Sequence, residues 1–314
     1  MAAETAPETG RAKIVVVGST NLDMVVKAAH IPQPGETVLG GEFQMVSGGK
    51  GANQAVAAAR LGAEVTFVAR VGADSFGTEA LSRFEREGIR TEFVVRDSGA
   101  AHGIALILVD SAGENAIAVA PGANARLTPE DVDAAEPAFA ACDMALLQLE
   151  IPLPAVARAV TLAKRYGKKV LLNPAPSQTL PDSLLAQVDL LTPNETEAQM
   201  LLGENAAGLG GVAATAEELL RRGVGCVIVT LGKEGVFVVG PGEQYHVPGR
   251  RVKPVDTTAA GDAFSGALAV RIAEGAEFRE AVRFAICASA LSVTRLGAQD
   301  SLPTRAEVDG ALSG

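Results

Sequence analysis

Apolar and polar positions follow two different rhythms along most of this chain. Short runs of β-branched residues, such as Lys13–Val17 and residues 226–231, predict buried strands. Between them, segments such as residues 156–166 repeat apolar positions at helical spacing. Strands that alternate with helices indicate right-handed crossovers. The predicted fold class is therefore α/β, a three-layer Rossmann-like and mostly parallel sheet with helices on both faces. The other predicted strands are 65–71, 144–149, 169–172 and 190–192, and the other predicted helices are 49–61, 78–86, 195–202, 215–222, 262–273 and 280–294.

Two segments depart from this pattern. Residues 24–45 are rich in proline and glycine and show no helical period, and residues 93–120 contain three strand-like runs separated by turn residues. Both lack intervening helices, so we expect them to pair as a small antiparallel sheet that acts as a lid. Such a sheet has one face that it cannot bury alone, which makes it a surface for a partner subunit. Residues 13–314 are predicted to form a single domain, and residues 1–12 a disordered tail without the features of a signal peptide.

Composition excludes several classes of function. The 314 residues are enough for a substantial core, and the net charge of −10 argues against nucleic-acid binding. The longest apolar runs have the length of strands, so we expect no membrane partner. The three cysteines are scattered among apolar residues and are interpreted as buried small side chains, with the cytoplasm as the default compartment.

The window from Asp256 to Phe264, DTTAAGDAF, carries the most informative chemistry. Ala259, Ala260 and Gly261 have almost no side-chain bulk, and their amides would point at a ligand from the start of a helix. A helix N-terminus favours negative charge, so this turn predicts a site for a phosphate or for a phosphoryl group in transfer. Asp262 stands next to it, where an acid is electrostatically costly. Service as the general base for an attacking hydroxyl explains its presence.

This window and a second run, Gly48-Gly-Lys-Gly-Ala-Asn-Gln-Ala55, resemble the ribokinase-type (phosphofructokinase-B) family of carbohydrate kinases. The resemblance extends from about residue 13 to about residue 312. It implies an ATP-dependent sugar kinase with Mg²⁺, a monovalent cation activator (K⁺), a lid, and a homodimer formed through the lids. The second run points more narrowly to members that phosphorylate D-ribose at its 5-hydroxyl.

The resemblance also assigns the sugar contacts. Asn21 and Asp23 follow the first strand, where they would form an ordinary Asx turn if no ligand were involved. Lys50 begins the second helix, but no Ser or Thr follows it as in a P-loop. A carboxylate such as Glu150 at a buried strand end needs a partner. The implied sugar-binding residues are Asn21, Asp23, Gly49, Lys50, Asn53, Glu150 and Asp262.

The nucleotide and metal residues follow from the same resemblance, and each has a plainer interpretation. Asn194 and Glu197 would form a helix capping box, and Thr230–Gly235 a tight turn. Asp256 would cap a helix. The implied nucleotide-binding residues are Asn194, Thr230, Gly232, Gly235, Gly261 and Ile286, with Glu197 for Mg²⁺ and Asp256, Thr258, Ser292, Arg295, Gly297 and Ser301 for K⁺. Ile286 replaces the polar residue that family members often place beside adenine.

Two rival functions remain open at this stage. A sister kinase on the same scaffold would act on deoxyribose, fructose, a nucleoside or another sugar. A catalytically silent sugar-binding or regulatory protein would not need the intact Asp262 and its small-residue turn. The three histidines, His30, His102 and His246, fall in lid or loop segments and are predicted to be surface residues.

Overall fold

Two sheets and their surrounding helices make up the computed structural model, which describes residues 10–203 and 210–314. The strands are β1 Lys13–Val17, β2 Asn21–Lys27, β3 Phe43–Gly48, β4 Glu64–Gly72, β5 Arg90–Asp97, β6 Gly103–Val109, β7 Asn115–Ala120, β8 Met144–Leu147, β9 Lys169–Leu172, β10 Leu190–Leu191, β11 Cys226–Thr230, β12 Gly235–Gly240 and β13 Glu243–Pro248. The helices are α1 Lys50–Arg60, α2 Ser75–Arg86, α3 Pro129–Ala134, α4 Glu136–Ala141, α5 Leu153–Arg165, α6 Asp182–Leu185, α7 Glu195–Leu202, α8 Val212–Arg221, α9 Ala260–Ala273, α10 Phe278–Ser292 and α11 Arg305–Ser313.

The larger sheet has nine strands in the order β13-β12-β11-β10-β9-β8-β1-β4-β5. Seven strands, from β11 to β5, run parallel, and β12 and β13 continue the edge as antiparallel strands. The carboxyl ends of the parallel strands therefore meet at one edge, which is where such sheets bind ligands.

Strand β1 shows why the sheet needs helices on both faces. Its four apolar residues are all buried, and they alternate between two cores: Ile14 and Val16 join one cluster, Val15 and Val17 the other. Successive side chains of a strand point to opposite faces. The first cluster is completed by α1, α2, α9, α10 and α11, and the second by α3 to α8. The predicted three-layer α/β class is confirmed.

The smaller sheet has the order β3-β2-β6-β7, and its bounds differ from the predicted lid. Residues 93–97 do not belong to it, because they form part of β5 and pair with β4 at the edge of the large sheet. It also begins earlier than predicted, at Asn21. The sheet is mixed, since β2 and β6 pair in parallel while the outer strands pair antiparallel. The strand-like runs predicted β6 and β7, but not the parallel pairing of β6 with β2.

The structure also tests the predictions made for the N-terminal tail, the histidines and the cysteines. Residues 1–9 of the predicted tail lie outside the described residues, but Ala12 is buried and its carbonyl accepts a bond from Glu64 N at 2.8 Å. His102 is not a surface residue: it is 3% exposed, and burial lowers the pKa of its ring. Cys142 and Cys287 are buried, as predicted, whereas Cys226 is half-buried. Within residues 10–203 and 210–314, every helix is too short or too polar to cross a membrane.

Candidate active site

Three chain segments meet beyond the carboxyl ends of β1 and β8. Glu150 lies just past β8, and its Oε2 accepts hydrogen bonds from Ser19 Oγ at 2.5 Å and from Lys50 N at 2.9 Å. These bonds fasten the first turn of α1 to the loop after β1. Gly49 precedes α1 at φ +87°, and a Cβ there would lie 2.7 Å from Asn21 N. The predicted Gly49 is thus required for the close approach of these two segments.

Asn21 is held by a residue that the sequence did not single out. The Nδ2 group of Asn124 donates to Asn21 Oδ1 at 2.8 Å, and its Oδ1 accepts from Thr20 N at 2.9 Å. Asn124 is 1% exposed and lies in the 3-10 helix at Gly122–Arg126. The buried amide therefore fixes the backbone and side chain of the segment that enters β2.

Asp262 lies on the first turn of α9 and is 5% exposed. Its two oxygens accept bonds from two successive residues of α1: Asn53 Nδ2 donates to Oδ2 at 2.8 Å and Gln54 Nε2 to Oδ1 at 2.9 Å. A carboxylate oxygen has two lone pairs, so each can accept a further hydrogen bond. Asn53 Oδ1 is buried and, among the described residues, has no hydrogen-bond partner. It is free to accept a bond from a ligand hydroxyl.

Lys50 is the positive centre of the site. Burial alone would lower its pKa, but the nearby charges of Asp262, Glu150, Glu197 and Asp23 outweigh burial and raise it. The ammonium group therefore stays protonated among four acids. Lys50 holds the site together by charge, as a point cation within reach of all four.

The acids respond to burial in the opposite way. Burial raises the pKa of Asp262, although Lys50 and the two amide bonds work against it. Burial also raises the pKa of Glu197. For Asp23, burial together with the charges of Glu150 and Asp262 raises the pKa to about 6. Perturbed acids that cluster in this way are typical of functional sites.

The turn that leads into α9 carries backbone strain. Ala259 has φ 59°, the one positive φ of a non-glycine residue in the described chain. Such a conformation costs of order 1–3 kcal/mol and marks a site where the surroundings enforce it. The amide of Ala260 donates to Thr257 O at 3.3 Å, so it is partly satisfied within the turn. The predicted set of three free amides is therefore reduced to those of Ala259 and Gly261.

A cavity of about 770 Å³ opens on the other side of this turn. Its walls come from the loop after β11, the segment 246–257, the start of α9 and one side of α10. Five of the predicted nucleotide residues line it, namely Thr230, Gly232, Gly235, Gly261 and Ile286. Asn194 does not line it, but forms an isolated bridge with Thr230 at its edge. The cavity is large enough for a nucleotide.

Asn194 and Glu197 form the capping box of α7. Asn194 Oδ1 accepts from Glu197 N at 2.8 Å, and Glu197 Oε2 accepts from Asn194 N at 2.9 Å. The plainer interpretation of this pair is therefore correct. The charges of Lys50 and Asp262 also affect the pKa of Glu197, so its carboxylate lies near the site.

The two predicted cation loops are tied to each other. Asp256 Oδ1 accepts from Thr258 N and Oγ1 at 2.9 and 2.6 Å, and its Oδ2 accepts from Gly297 N at 3.0 Å. Burial opposes the effect of these bonds, but the pKa of Asp256 is lowered. Ser292 and Ser301 are fully buried in the second loop, whereas the side chain of Arg295 pairs with Glu307. Asp256 thus joins the two loops and does not cap α9, whose N-cap residue Ala259 has no side-chain capping bond.

Asp262 therefore stands between two compartments. On one side lie the polar groups of Asn21, Asp23, Lys50 and Asn53, and on the other the cavity that Gly261 lines. A model of the pfkB family carbohydrate kinases matches residues 11–305. The chain belongs to this family.

Individual relatives agree with that assignment. The chain is similar to the ribokinase of Haemophilus influenzae, with 44% identity over 95% of this chain and 97% of the relative. It is also similar to the deoxyribokinase of Salmonella typhi, with 37% identity over 96% of this chain and 98% of the relative. The structure of Arabidopsis thaliana ribokinase complexed with ribose and ATP matches the kinase with a TM-score of 0.89 and 31% identity, over 97% of this chain and 100% of that one.

Proposed function

We propose that this kinase transfers the γ-phosphoryl group of ATP to the 5-hydroxyl of D-ribose, giving ribose 5-phosphate and ADP. The observation that carries the proposal is the position of Asp262. It is buried and hydrogen-bonded between a cluster of polar side chains that suits a sugar and a cavity that suits a nucleotide. The similarity to ribokinases over nearly the whole chain supports ribose as the sugar.

Each neighbour of Asp262 has a role in this reaction. Asp262 accepts the proton of the 5-hydroxyl as the oxygen attacks the γ-phosphorus, and the bond to the leaving β-phosphate oxygen breaks. The amides of Ala259 and Gly261 stabilise the charge on the transferring group. Asn21, Asp23, Lys50, Asn53 and Glu150 bind the sugar, with Gly49 allowing its close approach. Water is kept from competing with the sugar when the small sheet closes as a lid.

Both implied metal ions fit the residues present. A single half-buried carboxylate, Glu197, suits Mg²⁺, which keeps most of its waters and neutralises the phosphate charge when bound. Asp256 and the loop 292–301 suit K⁺, since the bond from Gly297 N to Asp256 joins the loops that carry one carboxylate and the main-chain oxygens of Thr258, Ser292, Arg295, Gly297 and Ser301. The oxygen of Ser292 accepts from Arg295 N at 3.2 Å, which leaves it one lone pair for an ion. Asn194 serves at the phosphate end of the nucleotide site, as its place beside Thr230 supports.

The small sheet supports the proposal of a homodimer. Phe43, Met45 and Leu106 are 57%, 58% and 50% exposed, and the strand register places all three on the sheet face opposite to Asp23. Large apolar side chains that share an exposed face mark an interaction surface. A second copy of the chain, presenting the same face, is the partner that we propose. The cytoplasmic location remains a prediction.

The experiment is a coupled ADP-release assay across ribose, 2-deoxyribose, fructose and nucleosides. We expect ribose to give the highest kcat/KM, and Asp262→Asn to lower kcat by about 10²–10⁴-fold while ribose still binds. A preference for 2-deoxyribose would favour the deoxyribokinase activity named for the Salmonella relative. Ribose binding without turnover in the unaltered protein would favour a regulatory sugar-binding protein.

A further inference from the structure

A chain of buried amides lies behind Asp262, on residues to which the proposed reaction gives no part. Gln54 on α1 donates from Nε2 to Asp262 Oδ1 at 2.9 Å and to Asn173 Oδ1 at 3.1 Å. Its Oε1 accepts from Gln148 Nε2 at 2.6 Å. Gln54 and Gln148 are 0% exposed and Asn173 is 6% exposed. Amides buried this deeply are costly unless they are bonded, so their presence requires a reason.

A main-chain carbonyl determines which atom of each amide donates and which accepts. Asn173 follows β9, and its Nδ2 donates to the carbonyl of Thr192 at 2.9 Å. A carbonyl oxygen only accepts, so Asn173 must turn its own oxygen towards Gln54. Gln54 must then present its NH₂ group to Asn173 and, with the second proton, to Asp262. Its oxygen is left for Gln148. One backbone carbonyl thus forces an N–H donor onto Asp262.

The same chain connects several elements to α9. Gln148 follows β8, Asn173 follows β9 and Thr192 follows β10, so three neighbouring strand ends are linked through Gln54. Thr192 returns to α9 through its hydroxyl, which lies 3.1 Å from Ser265 Oγ. Asp262 and Ser265 occupy the same face of α9, three residues apart. The chain of bonds therefore reaches α9 at two points, the carboxylate of Asp262 and the hydroxyl of Ser265.

We propose that Gln54, held by Asn173 and Gln148, is a positioning residue that keeps the Asp262 carboxylate in the orientation and the ionised form needed by a general base. Gln54 acts through Asp262, because its amide protons go to Asp262 and Asn173 and its oxygen accepts from Gln148. The inference rests on the proposed function, because it assumes that Asp262 accepts the proton of the substrate hydroxyl.

Several charged groups around Asp262 affect its pKa together with the bond from Gln54. Lys50 on α1 favours the ionised carboxylate, while Glu150 after β8, Asp23 on β2 and Glu197 on α7 oppose it. Burial opposes it most strongly, and the bonds from Asn53 and Gln54 counteract burial. Removing the Gln54 bond should therefore raise the pKa of Asp262 and also release one of its two oxygens.

The test compares pH–rate profiles of the full-length kinase and its variants, with kcat and sugar KM measured separately. Gln54→Met keeps the length of the side chain but removes the donor. We expect kcat to fall about 10–100-fold near neutral pH, as for a lost hydrogen bond to a charged group. The acid limb of kcat should move to higher pH, so that part of the rate returns as pH rises, and the sugar KM should change less than about threefold.

Two further variants separate positioning from stability. Asn173→Ala leaves Gln54 in place and removes no hydrogen bond of Asp262 itself, so it should shift the limb in the same direction by a smaller amount. It decides the question if Gln54→Met does not fold. Val160→Ala, a core change on α5 in the other cluster, should lower the melting temperature without moving the limb. The proposal would be overturned if the acid limb stays unmoved in Gln54→Met and Asn173→Ala, or if Val160→Ala moves the limb as far as they do.

Failure of the proposed function would be visible separately. If the unaltered protein phosphorylates another sugar instead of ribose, the profiles are recorded with that sugar. The role of Gln54 is then tested by the shift in the acid limb of kcat with that sugar, while ribose as the substrate is rejected.

Discussion

Asp23 offers the sharpest test of the site, because we expect its carboxylate to strengthen sugar binding and to lower the stability of the ligand-free protein. It packs against Gly48, where a Cβ would lie 2.3 Å from Oδ2. Within the described residues, its side chain makes no hydrogen bond and no ion pair, although Lys50 attracts it from a distance. Burial and the charges of Glu150 and Asp262 raise its pKa from 3.8 to about 6. We predict that Asp23→Asn stabilises the empty protein while weakening sugar binding.

The magnitude follows from the pKa. A difference of one pH unit between folded and unfolded pKa values corresponds to about 1.4 kcal/mol, so the ionised Asp23 lowers the free energy of unfolding by about 3 kcal/mol at most. The raised pKa means that the folded state binds the proton more tightly than the unfolded state. The carboxyl therefore costs nothing below the unfolded pKa of 3.8, and its cost grows as pH rises towards 6. Above about pH 7 the cost is constant.

The assay is urea unfolding of the ligand-free protein and of Asp23→Asn at several values between pH 4 and 8. We expect the two proteins to be nearly equal in stability at pH 4, and the variant to be more stable by up to about 3 kcal/mol at pH 7.5. Ribose affinity, measured by calorimetry, should fall roughly 10–100-fold, as for a hydrogen bond to a charged group. Glu217→Gln, which removes an exposed carboxylate on α8, is the control for a loss of net charge.

Two results would refute this reasoning. If Asp23→Asn is less stable than the unaltered protein at pH 7.5, the carboxylate has a structural partner and is not strained by its surroundings. If its stability advantage does not change with pH, the gain does not come from ionisation.

Three other predictions concern the neighbouring parts of the site. Gly261→Val should fold normally, since its Cβ would meet open space. It should obstruct the cavity and reduce kcat at least tenfold. Normal turnover with a normal KM for ATP would place the phosphate site elsewhere. Activity should be higher in K⁺ than in Na⁺ or a large organic cation at matched ionic strength, and Asp256→Ala should remove the difference; equal rates in all three salts would return Asp256 to a purely structural role. If the proposed dimer forms through the small sheet, Leu106→Lys should sediment as a monomer, and Glu217→Lys, the charge control, should keep the mass of the unaltered protein; an unchanged mass in Leu106→Lys would reject the proposed interface.

The sequence predicted the six inner strands of the large sheet, from β11 to β4, because they are buried on both faces, but it did not predict the antiparallel edge strands β12 and β13. In β1 and β8 nearly every residue is apolar, and such runs have few alternatives to a central parallel strand. The small sheet was harder, since its runs carry no mark of which sheet they join. Residues 93–97 form a strand-like run like those of the lid, but they pair with β4 because α2 returns the chain directly to the edge of the large sheet. That choice depends on a crossover and not on local propensity.

The site shows the same division. Lys50, Asn53 and Asp262, which we propose to contact the ligands, were predicted from motifs, whereas the amides that support them were not singled out. A signal was nevertheless present for Gln54 and Gln148: each is a polar residue at a position that the local apolar pattern places in the core. Asn124 had no such signal, because only the folded chain brings it next to Asn21 across about a hundred residues. Supporting contacts between distant segments leave little trace in local spacing.

The distribution of charge in the site explains why the acids and Lys50 depend on each other. Four carboxylates surround one ammonium group, and three of them, Asp23, Glu197 and Asp262, have pKa values raised mainly by burial. Hydrophobic packing alone does not call for such an arrangement, since a buried acid without a full partner destabilises the fold. A sugar supplies neutral hydroxyl donors to carboxylates, and a Mg²⁺–nucleotide complex brings cations to the phosphate side. The ligands would therefore provide partners for carboxylates that repel one another in the ligand-free protein. We infer that removal of this repulsion contributes part of the binding free energy.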